Sequence, residues 1–164
     1  MAHLMKRTLP SLLGIPLLAL TMSAGVAVGQ VQEKKVLNLE GARRVVAAAE
    51  AEARRNNAGG AIAVVDDGGH LILLQRLDNT FPSAATVATE KARTAATFRK
   101  DTRAFEDAIK GGRVSLVAVD VMTPLQGGVP IIVDGQVVGA VGVSGAASAQ
   151  QDEDIAKVAA GAVK

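Results

Sequence analysis

The chain has no cysteine, tryptophan or tyrosine, and its aromatic content is three phenylalanines in 164 residues. Without cysteine there is no thiolate nucleophile, no Cys-ligated metal and no disulfide, so an exported form must rest on its core or on subunit contacts. Histidine is almost as scarce, at His3 and His70. A multi-histidine zinc site within one subunit is excluded, and any Ser-His-Asp triad would have to be built on His70. Charge of one sign is also missing. Lys6 and Arg7 supply the whole formal excess of +2, and beyond residue 29 Lys+Arg falls from 18 to 16 against 16 acidic residues. A neutral domain lacks the phosphate-neutralising excess of a sequence-independent nucleic-acid binder.

What is present begins with a leader. Lys6-Arg7 precede an apolar run, Leu9–Leu20, interrupted by Pro10, Gly14 and Pro16, and Ala27-Val28-Gly29 offers a small-x-small cleavage site. Residues 1–29 are therefore expected to be a signal peptide, with export to a periplasmic or extracellular space. The apolar core is short for a membrane span. Residues 30–164 are expected to form a single domain.

The stretch Gly127–Gly145 organises that domain. Two apolar runs, Val129–Val133 and Val137–Val143, flank Asp134-Gly135, the pair that a type I′ hairpin turn favours. The runs are apolar throughout, which reads as interior strands. Gly139, Gly142 and Gly145 mark a close approach by a backbone, a helix or a flat ligand. They are no dinucleotide fingerprint, since they follow a hairpin turn rather than open a βαβ unit. A second hairpin is expected from Ala61–Val65 and His70–Leu77 around Asp66-Asp67-Gly68-Gly69.

Helical spacing predicts four helices. One runs from an Asn38 cap to about Asn56 and buries Ala42, Val45, Val46, Ala49 and Ala53. A second, capped by Ser83, runs to about Phe98 with Ala84, Val87, Ala88, Ala92 and Ala95 inward and Thr86, Glu90, Arg93, Thr94 and Thr97 on another face. A short third helix starts at Asp101 or Thr102 and ends at Gly111-Gly112. Ser148 and Gln151 form a capping box for the fourth, which buries Ile155, Val158, Ala159 and Ala162, and Asp152–Asp154 compensate its dipole. Val114–Met122 reads as a strand or buried loop. Hairpins imply antiparallel pairing, so the expected fold is α/β of the α+β type: about five antiparallel strands with helices on the faces.

Two groups carry candidate chemistry. Asp66-Asp67-Gly68-Gly69-His70 is either a hairpin turn or a source of carboxylate and imidazole for metal or acid–base work. Glu90-Lys91-Ala92-Arg93-Thr94 is either a solvated face with local pairing or an anion clamp, because arginine presents a planar bidentate fork.

Together, Ala61–Leu71, Arg76-Leu77-Asp78, Lys91–Ala95, Gly127–Ile131 with Asp134-Gly135, and Gly139–Gly145 resemble the GlcG/HbpS family in order and spacing, over residues 37–163. The resemblance implies a profilin-like three-layer α/β/α domain that forms homo-oligomers. Family members include exported haem-binding and haem-degrading proteins, some of them accessories to membrane sensor kinases. Related domains adjoin corrinoid adenosyltransferases, and haem is preferred here to a corrinoid. Carried onto this chain, the resemblance implies a ligand-lining Lys91–Thr94 helix, with Thr94 near the iron, Arg93 or Lys91 near the propionates, Gly142 allowing close approach, and His70 as the alternative axial ligand. Three readings follow: an exported haem-binding protein; a GlcG-type small-acid module or enzyme with Arg93 on a carboxylate; or a signalling oligomer partnering a membrane receptor. Turnover is left open.

Overall fold

The computed structural model describes residues 29–164, so the expected leader lies outside the described residues apart from Gly29. The element order is α1 (Leu39–Arg55), β1 (Ala61–Asp66), β2 (Leu71–Arg76), α2 (Ala84–Phe98), α3 (Arg103–Lys110), β3 (Gly128–Val133), β4 (Gln136–Ser144) and α4 (Ala149–Ala160). The strands form one antiparallel sheet in the order β2-β1-β4-β3. α1 packs on β1 and β2 and α4 on β3 and β4, while α2 crosses the opposite face. The result is three layers, α/β/α.

Alternation along the strands sorts two different cores. Ile62, Val64, Val129, Ile131, Val141 and Val143 meet α1 and α4 in a layer of branched side chains. On the other face Ala61, Ala63, Val65 and Ala140 meet Ala84, Ala88, Ala92 and Ala95 of α2. The alanine layer lets α2 lie almost on the sheet backbone. A Cβ placed on Gly142 would stand 2.0 Å from the Ala88 carbonyl oxygen and 2.6 Å from the Ala92 nitrogen. Gly142 thus marks helix-on-strand contact, one of the three approaches its spacing allowed.

The hairpin turns follow the sequence. Asp134 and Gly135 adopt φ of 47° and 75°, as a type I′ turn requires. Asn38 caps α1 by accepting from the Gly41 N–H at 2.8 Å, and Ser148 accepts from Gln151 N–H at 3.1 Å. Other expectations are corrected. Among the described residues the sheet has four strands, and β3, read as interior, is laterally an edge, buried from Gly128 to Ile131 and exposed at Ile132. Pro130 within β3 cannot donate to a further ladder and suits that edge. Val114–Met122 is no strand: Val114–Ala118 form a turn of 3-10 helix, and Val114, Val117 and Val121 are exposed. Ser83 and Thr102 precede their helices without capping them by side chain. Thr102 instead accepts from the Gly128 N–H at 2.9 Å, tying the start of α3 to β3. In α4 the buried face includes Ala156, while Val158 is exposed.

Candidate functional site

Two of the places where chemistry-bearing residues come together among the described residues share α2. The first is a cavity of about 340 Å³ where the end of β4, the middle of α2 and the start of α4 converge. Phe81, Val87 and Leu125 form apolar walls, and Lys91, Ser144 and Asp152 are polar members of its lining. Lys91 is only 3 % exposed. Its ammonium donates to Asp152 Oδ2 and to the Val143 carbonyl, each at 2.9 Å. Asp152 Oδ1 accepts from the Ala146 N–H at 2.9 Å. A helix of one layer is thereby tied, around the end of β4, to a helix of the other. The Asp152–Asp154 run is more than dipole compensation, because Asp152 and Glu153 are buried and paired.

Glu106, at the same cavity, accepts from the Gln126 N–H at 2.6 Å and pairs with Lys110 at 2.7 Å. Burial pulls its pKa up, but these bonds and the nearby Lys91 charge leave it below the ordinary glutamate range.

The second place is the β1–β2 turn. Asp66 Oδ1 accepts from the N–H groups of Gly68 at 2.9 Å and His70 at 2.8 Å, and lies 3.2 Å from His70 Nδ1. Burial raises the Asp66 pKa, and the bonds from His70 and Gly68 outweigh it, so the carboxylate is held below its usual range. The His70 side chain is 84 % exposed, and its Nε2 has no partner among the described residues. Arg93 reaches this turn from α2, with Nε 3.3 Å from the Gly69 carbonyl oxygen and Nη1 2.7 Å from Glu90.

The five sequence-proposed residues therefore do not share one place. Arg93 and the His70 turn meet; Lys91 belongs to the cavity; Gly142 lies under α2. Thr94, expected on the polar face, is 1 % exposed, and its hydroxyl accepts from the Thr123 N–H at 2.8 Å. Sequence reasoning picks out Asp66 within its turn but misses Glu106, Gln126 and Ser144, and it gives Asp152 only a dipole role. One signal for Lys91 was available: it follows Ala88 by three and precedes Ala95 by four, squarely in the buried stripe.

Fold and sites together define a one-sheet α/β/α domain with a small cavity at one end of the sheet and an exposed imidazole at a hairpin turn. Residues 37–161 match the family model described as haem degrading protein HbpS-like, and the chain belongs to that family. It is 46 % identical to Protein GlcG of Escherichia coli over 111 residues, 68 % of this chain and 83 % of GlcG. Protein ORFY of Klebsiella pneumoniae is 31 % identical at a TM-score of 0.76, covering 82 % of this chain and 94 % of its own. A double mutant of Streptomyces reticuli HbpS is 28 % identical at the same TM-score, covering 87 % and 98 %. A protein solved as a PduOC:haem complex shares the fold at a TM-score of 0.71 and 24 % identity, covering 79 % and 96 %.

Proposed function

We propose that this protein binds haem at the β1–β2 turn, with His70 as the axial ligand and Arg93 as the partner of a propionate. The carrying observation is the Asp66–His70 pair. A metal-bound histidine typically donates its other ring N–H to a carboxylate, which fixes the tautomer and strengthens the ligand. Asp66 is placed to do this at Nδ1 while Nε2 is left for a metal. The donor set fits haem, whose iron asks the protein for one axial side chain and whose carboxylates ask for a cation. Arg93, half exposed and braced by Gly69 and Glu90, offers that cation beside the histidine. Bound haem would supply iron redox chemistry; His70 would hold the iron and Arg93 would pair with a propionate.

The family match and the HbpS likeness support haem over a corrinoid. Thr94 is the weaker iron ligand, because its hydroxyl is buried and already accepts a backbone bond. The His70 side chain is exposed at this turn, and a second copy, in a homo-oligomer, would cover the ring. Export ahead of residue 30, to a periplasmic or extracellular haem source, with a membrane sensor as reader of the loaded state, completes the reading.

The test is a haemin titration of the purified chain followed at the Soret band. The parent should show a saturable shift and His70→Ala should lose it. Asp66→Asn should weaken binding by about 10–100-fold, the usual cost of removing a carboxylate behind a metal-bound histidine. Arg93→Ala should weaken it by roughly tenfold or more, the cost of one charge-assisted bond. Thr94→Ala should bind like the parent. Haem binding that survives His70→Ala and is lost in Thr94→Ala would overturn the ligand assignment. Absence of a saturable shift would overturn the function, and stabilisation by small hydroxy acids alone would then favour the small-acid module.

A further inference from the structure

The cavity at Lys91 is separate from the His70 turn and carries its own ligand chemistry. Lys91 has three N–H donors, and two are used, by Val143 and Asp152. The third has no partner among the described residues. Ser144, 5 % exposed and lining the same cavity, likewise has no side-chain hydrogen bond among the described residues. Lys91 binds the carbonyl of Val143, the residue next to Ser144, and both side chains belong to the lining of the cavity. Around them the walls are Phe81, Val87 and Leu125. The charges are already matched, Lys91 with Asp152 and Glu106 with Lys110. A charged ligand entering here would shed its water without gaining an opposite charge.

We propose that this cavity binds a small uncharged carbonyl compound, a short-chain aldehyde or ketone, with its oxygen on Lys91 and Ser144 and its carbon chain against Phe81, Val87 and Leu125. Both protein groups donate, and a carbonyl oxygen has two lone pairs and nothing to donate in return. The volume, near the lower end of the roughly 300–1,000 Å³ of small-molecule sites, suits a ligand of a few carbons.

The experiment is a titration of the full chain with butan-2-one, read by amide NMR shifts, with butyrate and butylammonium as charged controls of similar length. Butan-2-one should give saturable shifts at Val143, Ser144, Ala146 and Ala149, and the charged analogues none. Ser144→Ala keeps the Lys91–Asp152 pair and should weaken binding about 3- to 10-fold, the range for one neutral hydrogen bond. Leu125→Trp, which plugs the mouth from an exposed position, should abolish the shifts while leaving haem binding at His70 intact. No saturable shift with butan-2-one, equal shifts in Leu125→Trp, or preference for butyrate would each overturn the proposal.

Discussion

Lys91 ties the two helical layers together around the end of β4. Its side chain and that of Asp152 are 4 % and 8 % exposed, so neither charge can recover its hydration if the other is removed. Removing one partner of a buried pair typically costs about 3–5 kcal/mol, whereas replacing both can come close to neutral. Lys91→Met should therefore lose about 3–5 kcal/mol in urea denaturation. The double variant Lys91→Met with Asp152→Asn should recover more than half of that, since the introduced amide oxygen would still accept from the Ala146 N–H. If the double variant is no more stable than the single, the pair is not what destabilises the single. The burial of Lys91 was legible in its spacing along the alanine stripe. Its partner was not, because Asp152 lies 61 residues away and only the return of β4 beside α2 brings them together. Thr94 misled for the same reason: its face is covered by Thr123, in a segment whose path no local pattern reveals.

At the scale of the element, end chemistry separates what local sequence decides from what the fold decides. α1 was legible in full, from the Asn38 cap to the five buried residues of its stripe, because cap and stripe lie within one helix. Ser83 and Thr102 carry the same residue-type signal, yet both sit in helical dihedrals without a side-chain cap bond. Asn38→Ala should accordingly cost about 1 kcal/mol, the usual value of a formed cap. Ser83→Ala should leave stability within about 0.5 kcal/mol, as for a substitution that breaks no such bond. Chemical denaturation of the two variants side by side checks both, and equal losses would show that Ser83 does cap α2 in solution. The 114–122 run adds no strand to the sheet among the described residues. At the β3 edge, Pro130 cannot donate to a further ladder, and the run instead folds as a 3-10 turn with Val114, Val117 and Val121 exposed.

For the whole molecule, the titratable groups place the stability maximum between two losses of opposite sign. Hydrogen bonds from Arg54 and Gln75 lower the Glu50 pKa, and Lys35 lowers that of Asp134; Asp66 and Glu106 are lowered as well. Each lowered carboxylate adds stability that is present above its unfolded value, near 3.8 for Asp and 4.5 for Glu, and lost as the pH falls through the folded value. Lys110 and Lys157 are raised by bonds to Glu106 and Glu153, so their contribution is full below 10.5 and disappears as the pH rises through their folded values. Asp101 runs against the other carboxylates. Burial raises it, Glu153 adds to the shift, and Lys157 only partly offsets it. Its ionisation is harder in the folded state than in the unfolded chain, so it penalises folding above its raised folded pKa and costs nothing below about 3.8, where both states hold the proton. Asp101→Asn, which mimics the protonated side chain, should raise the urea midpoint at pH 7. The gain should shrink as the pH is lowered and vanish in acid. A midpoint that is unchanged at pH 7, or a gain that persists unchanged at pH 3, would show that the half-buried Asp101 charge just before α3 does not penalise folding.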